Sequence, residues 1–92
     1  MQFLVIERFR GGDPRPVYAR LAARGRQLPA GVAVLGSWVT EDGGSCYQVM
    51  EAAGRQALDA WIAAWADLVD FEVLTVVPGG EAARLYGPTD SP

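Results

Sequence analysis

A single α+β domain with the element order β-α-β-β-α-β is predicted by three observations: a hairpin in mid-chain, strand-then-helix patterning before it, and helix-then-strand patterning after it. The hairpin occupies Ala30 to Ala52, AGVAVLGSWVTEDGGSCYQVMEA. An apolar, β-branched run ends at Val39–Thr40, Glu41-Asp42-Gly43-Gly44 makes the turn, and a second strand runs from Ser45 to Glu51. Right-handed crossovers then put both helices on one face of a four-stranded antiparallel sheet, which is the ferredoxin-like arrangement. The opposite face of the sheet is left without helices.

The first strand is Gln2 to Phe9. Its alternation sets Phe3, Val5, Glu7 and Phe9 on one face and Leu4, Ile6 and Arg8 on the other, so both faces are largely apolar, as in a central strand covered on both sides. Gly11-Gly12-Asp13-Pro14 turns the chain, with Asp13 suited to cap a helix and Pro14 to open it. That helix runs to about Gln27. Val17, Leu21 and Leu28, joined by Ala22 and Gly25, make its inner stripe, and Arg20 and Arg24 share its outer face. After the hairpin, Gly54 to about Asp67 is a second helix, in which Leu58, Trp61, Ile62, Trp65 and Leu68 form an amphipathic stripe on an alanine-rich background. Two tryptophans one turn apart can wall a ligand, but in so small a domain their bulk is core material first. Asp70 to Val77 is the last strand, closed by Pro78-Gly79-Gly80. The folded domain is therefore expected over residues 1–78, with 79–92 a loose, Pro-containing tail holding at most one turn near Ala82–Leu85.

Composition narrows the chemistry. A chain of 92 residues buries only about 60–65% of the surface its unfolded form exposes, so a partner surface would help it. The opening run MQFLVIERF is too short and too soon charged for a signal peptide or a membrane span, and the single cysteine, Cys46, has no intrachain partner; both fit a cytoplasmic setting. There is no histidine, which removes the commonest general base, the usual haem ligand and most zinc designs, and no lysine, which removes Schiff-base chemistry on a side chain. No metal site and no cofactor is expected. Six of the eight arginines lie in the first 26 residues, giving that segment a charge near +4 and the remainder near −7. A solvated helix face accounts for that cluster more simply than an anion site does. With a pI near 4.7 nucleic acid is a poor partner, and the strand SCYQVME lacks the basic, aromatic character of an RNA-binding sheet.

If Leu4, Ile6, Val49 and Val76 face the helices, the open face carries Phe3, Val5, Glu7, Phe9, Cys46, Gln48, Met50, Val73 and Thr75. The large apolar members each lose about 1.5–3 kcal/mol when left in water, about 10 kcal/mol together, which rivals the whole stability of a domain. Such a face needs a cover, and the expected one is a second copy packed sheet against sheet as a two-fold homodimer.

The phrases VIERFRGGDPRPVYARLAARGRQLP, SWV, CYQVMEA and WIAAWADLVDFEV, followed by Val-Pro, resemble a small bacterial family that carries only a domain-of-unknown-function label, over about residues 1 to 78. The resemblance implies a place among the dimeric α/β-barrel proteins, a superfamily that includes antibiotic-biosynthesis-type monooxygenases and muconolactone-isomerase-like enzymes. It implies no established reaction. Several of those relatives use a histidine for haem contact or acid–base work, and this chain has none.

Glu7 and Gln48 are the polar residues in the apolar centre of the predicted open face, and a register pairing 7 with 48 also pairs 5 with 50 and 9 with 46. A carboxyl desolvated there by Phe3, Phe9 and Met50 has its pKa raised and suits a general acid or base. Glu7 is thus the candidate catalytic residue, and Glu7, Gln48, Trp38, Phe9, Cys46 and Met50 are the candidate ligand-binding set. The competing reading is structural: Glu7 and Gln48 hydrogen-bond each other to fix register. Cys46, with no base beside it, reads as a small core hydrophobe. A small-molecule cleft and a non-catalytic dimeric interaction or sensing module both remain; connected space of roughly 300 Å³ reaching Glu7 would favour the cleft, and a face packed solid would favour the module.

Overall fold

A computed structural model describes residues 1–88. β1 (Gln2–Phe9), α1 (Arg15–Arg24), β2 (Ala33–Val39), β3 (Ser45–Glu51), α2 (Asp59–Trp65) and β4 (Val69–Val76) follow in the expected order, with a third helix, α3 (Gly79–Tyr86), after β4. The strands form one antiparallel sheet in the order β2-β3-β1-β4, so the two outer strands flank the pair β3 and β1. The chain is an α+β, ferredoxin-like domain.

Local chemistry explains the element ends. The β2–β3 turn is tied by Asp42, whose Oδ1 accepts from Thr40 Oγ1 at 2.7 Å and from the Gly44 N–H at 2.9 Å, while Gly43 takes a left-handed φ of 78° that a side chain would resist. Asp13 caps α1 from just outside it: its Oδ1 accepts the Arg15 N–H at 3.0 Å. α1 is shorter than its periodicity suggests. It stops at Arg24 because Gly25, at φ 69°, turns its N–H back to the Leu21 carbonyl at 2.8 Å. α2 is reached through a 3₁₀ turn at Arg55–Leu58. The segment after residue 78, read from sequence as a loose tail, is helical over Gly79–Tyr86, although α3 buries none of its residues; residues 89–92 of that tail lie outside the described residues. No helix among the described residues is long and apolar enough to cross a membrane.

The structure reverses the two sheet faces. Phe3, Val5, Phe9, Cys46 and Met50, expected on the open side, form one buried cluster with Val17 of α1, Leu58 of the turn before α2, and Trp61 and Trp65 of α2. They are the helix-covered core. Leu4, Tyr47, Val49, Leu74 and Val76 alternate with them and occupy the helix-free side. Alternation sorts β1 into two sets, but both sets are apolar, so pattern alone carries no sign for which set meets the helices. Volume decides it. The tryptophans of α2 and the large Phe3, Phe9 and Met50 fill a single interlayer space, and Trp61 meets Phe71 of β4 edge to face at 5.2 Å.

The β1–β3 register also differs from the expected one, by two residues: Glu7 pairs with Cys46, Val5 with Gln48 and Phe3 with Met50. This register matches the strands end to end, from Gln2 with Glu51 to Arg8 with Ser45, and lets the Phe9 N–H reach the Gly44 carbonyl at 3.0 Å. A shift of two preserves faces, so Glu7 and Gln48 remain neighbours, now on a diagonal.

Candidate functional site

A cavity of about 140 Å³ lies between the helices and one end of the sheet. β1 supplies Glu7 and Phe9, β3 supplies Cys46 and Gln48, and β2 supplies Val34 and Ser37. Val17, Tyr18 and Leu21 of α1 and Trp61 and Trp65 of α2 close it from above, and Arg26 and Leu28, from the loop after α1, stand at its side. The space therefore sits beneath the helices, whereas the sequence reading placed it on the open face. It is smaller than the roughly 300 Å³ of a pocket for a drug-sized ligand and close to the volume known to accept one benzene ring.

At its polar end are Glu7 and Gln48, 6% and 9% exposed. The Gln48 side-chain N–H donates to Glu7 Oε2, while Oε1 has no hydrogen bond among the described residues. Burial pushes the Glu7 carboxyl above its usual range of about 4.5, and the Gln48 bond and the Arg26 charge pull it part of the way back. Beside it, Cys46 Sγ lies 3.5 Å from Ser37 Oγ. Burial raises the Cys46 thiol, the Ser37 contact and Arg26 oppose that, and the Glu7 charge adds to it, so the sulfur stays a protonated thiol rather than a nucleophile. Among the described residues no group of three or more acidic, cysteine or histidine side chains is placed to hold a metal ion. The arrangement can hold a proton at Glu7, hydrogen-bond a polar atom there, and enclose an apolar body.

Of the residues singled out from sequence, Glu7, Gln48, Phe9 and Cys46 come together at the cavity. Met50 does not reach it; it is fully buried farther along β3, opposite Phe3. Trp38 is on the other face and 63% exposed. The cause is a bulge in β2 between Val34 and Gly36: Val34 pairs with Met50, Gly36 with Val49 and Ser37 with Gln48, so one extra residue flips everything after it. Ser37 enters the cavity in place of Trp38, whose ring lies across Gly36 so closely that a Cβ there would come within 2.5 Å of it. The glycine at 36 was the signal in the sequence that could have disclosed the bulge.

Arg26 was missed as a lining residue, while Trp61 and Trp65, read first as core, belong to the buried core and line the cavity as well. The Trp65 Nε1–H donates to the Arg26 carbonyl at 3.1 Å, which moors the loop to α2. Gln27, at φ 60°, holds a left-handed backbone that costs a side-chain-bearing residue on the order of 1 kcal/mol. Arg20 braces the same helix: its Nη1 and Nη2 donate to Asp67 at 2.7 and 2.6 Å and its guanidinium lies 5.5 Å from the Trp65 ring centre.

No curated protein and no solved structure matches the chain significantly. A family model described as a domain of unknown function, DUF3303, matches residues 1–89, a span that takes in all four strands and α3 together with both sides of the cavity, and the chain belongs to that family.

Proposed function

We propose that this chain is a homodimeric, cytoplasmic α/β-barrel protein that binds a small molecule in the cavity between its helices and its sheet, with Glu7 as the polar anchor. The observation that carries the reading is a buried carboxyl with one oxygen left unengaged within the described residues, at the floor of a mainly apolar space large enough for a single ring. Cytoplasmic placement rests on the lone, unpaired Cys46. Dimerisation rests on the helix-free side, where the register puts Leu4, Ile6, Trp38, Tyr47, Val49, Leu74 and Val76 on one face with Glu72 beside Ile6. It is the surface opposite to the one inferred from alternation, and the physical argument passes to it unchanged.

Native mass spectrometry of the purified chain tests both parts, with a two-copy mass carrying a retained small molecule as the expected result. A Glu7→Gln variant then tests the anchor: weaker ligand retention by a chain that still folds is expected. Unchanged retention with altered stability would remove Glu7 from the site and favour a second reading, a dimeric interaction or sensing module. That reading draws on the Gln48–Glu7 hydrogen bond and on the fact that, among the described residues, every side-chain nitrogen and oxygen wholly shut off from solvent already has a partner, a set that leaves out the still accessible Glu7 Oε1.

A further inference from the structure

We infer that the cavity selects a ring-sized organic anion, with its acidic group held by the Arg26 guanidinium and its ring set against Trp61 and Trp65. The inference rests on the reading of the cavity as a binding site and names the class of ligand it takes.

Charge is the first ground. Arg8, Arg10, Arg15, Arg20 and Arg55 are each bound to a carboxylate of the chain. Arg26 has no such partner among the described residues, and it is the arginine that lines the cavity. The other ionisable lining groups are Glu7, Cys46 and Tyr18, and burial biases both Glu7 and Cys46 toward their proton-holding, uncharged forms. A cleft with one guanidinium, beside a carboxyl that burial shifts toward its neutral form, presents its charged donor to an acidic group, and a carboxylate-bearing ligand supplies the acceptors.

Backbone geometry is the second ground. Arg26 is bracketed by Gly25 at φ 69° and Gln27 at φ 60°, and its carbonyl is held by Trp65 Nε1. A left-handed glutamine is kept where surrounding contacts over-determine it, and such positions gather at ligand clamps. Here the local contortion fixes the position of the one residue that brings a positive charge to the cavity. An anionic group at that charge and an arene against the tryptophans account for both halves of the lining.

Three probes with the same ring separate the possibilities: benzoate, benzyl alcohol and benzylamine, titrated into the purified protein and followed by calorimetry and tryptophan fluorescence. Benzoate is expected to bind at least tenfold more tightly than benzylamine. Arg26→Gln, a change at an exposed side chain, should weaken benzoate at least tenfold while leaving benzyl alcohol unchanged, and Ser37→Phe, which fills the cavity, should abolish both. Benzylamine binding as tightly as benzoate, or benzoate indifferent to Arg26→Gln, would overturn the anion class and leave the cavity as a site. Benzoate binding that survives Ser37→Phe would place it elsewhere and overturn the inference, and no binding by any of the three would overturn the binding-site reading as well.

Discussion

Glu7 is the residue on which the polar chemistry turns, and its pH behaviour has a definite sign. Its native pKa lies above the ordinary 4.5 because burial penalises the charged form. Such a group stabilises the fold while it keeps its proton, and that contribution is lost as pH rises from the unfolded value through the native one. The exposed carboxylates act oppositely. Arg20 holds Asp67 to about 2, and Asp13 and Asp42 are also lowered by their hydrogen bonds, so their contributions are present above the unfolded carboxylate range and vanish only in acid. Urea denaturation across pH is therefore expected to show stability rising between about pH 2 and 4 and a separate fall setting in above about 4.5. Glu7→Gln should flatten the fall and leave the acid limb in place; a fall that persists in the variant would assign it to another group. Cys46 gives a second check at this scale. Its thiol is buried and raised, so reaction with a disulfide reagent near neutral pH should run at least about tenfold slower in the native protein than in denaturant, and equal rates would contradict the packing around it.

Between elements, the tie that holds α1 to the end of α2 is Arg20 with Asp67, strengthened by the Ala64 carbonyl at 3.1 Å and the Trp65 ring. Arg20→Ala is expected to lower the melting midpoint by a few degrees and to return the Asp67 carboxyl toward its ordinary 3.8, read by NMR titration. Asp67→Asn should cost less, because the Ala64 and Trp65 contacts of Arg20 remain, and the double variant little more than Arg20→Ala alone, because the Arg20–Asp67 pair is lost once. Strictly additive losses would show that the pair does not couple the helices. The contrast between what these elements show in sequence and what they hide is instructive. Each strand and both sheet-packed helices are legible because their periodicities differ, 2 against 3.6, and because Trp61 and Trp65 mark one face of α2. The sign of the sheet faces is hidden because Leu4 and Ile6 are as apolar as Phe3 and Val5. Trp38 is misplaced because a bulge of one residue inverts a strand's pattern while leaving composition untouched. Glu7 and Gln48 survive both errors, since a wrong face and a register wrong by two still keep residues of like parity together.

For the molecule as a whole, the decisive question is what covers the helix-free side of the sheet. Trp38, Leu74 and Tyr47 are 63%, 43% and 38% exposed there, around an Ile6 that its own neighbours already shield to 8%. Burying a set of this size recovers on the order of 10 kcal/mol per chain before the costs of association, enough to hold a dimer at micromolar concentration after those costs. Charged pairs border it on the β1–β4 side, where Arg8 meets Glu72 and Arg10 meets Asp70, both at 3.1 Å. Pairs already neutralised within one chain can rim a self-complementary interface without setting like charges against each other across the two-fold axis. Leu74→Arg is therefore expected to convert the dimer into a monomer by analytical ultracentrifugation while leaving the circular dichroism spectrum native, because Leu74 packs outside the buried core cluster. A wild-type chain that sediments as one copy at micromolar concentration would sink the pairing. The cavity, enclosed by elements of a single chain on the other side of the sheet, would survive that result, so assembly and ligand binding can fail independently.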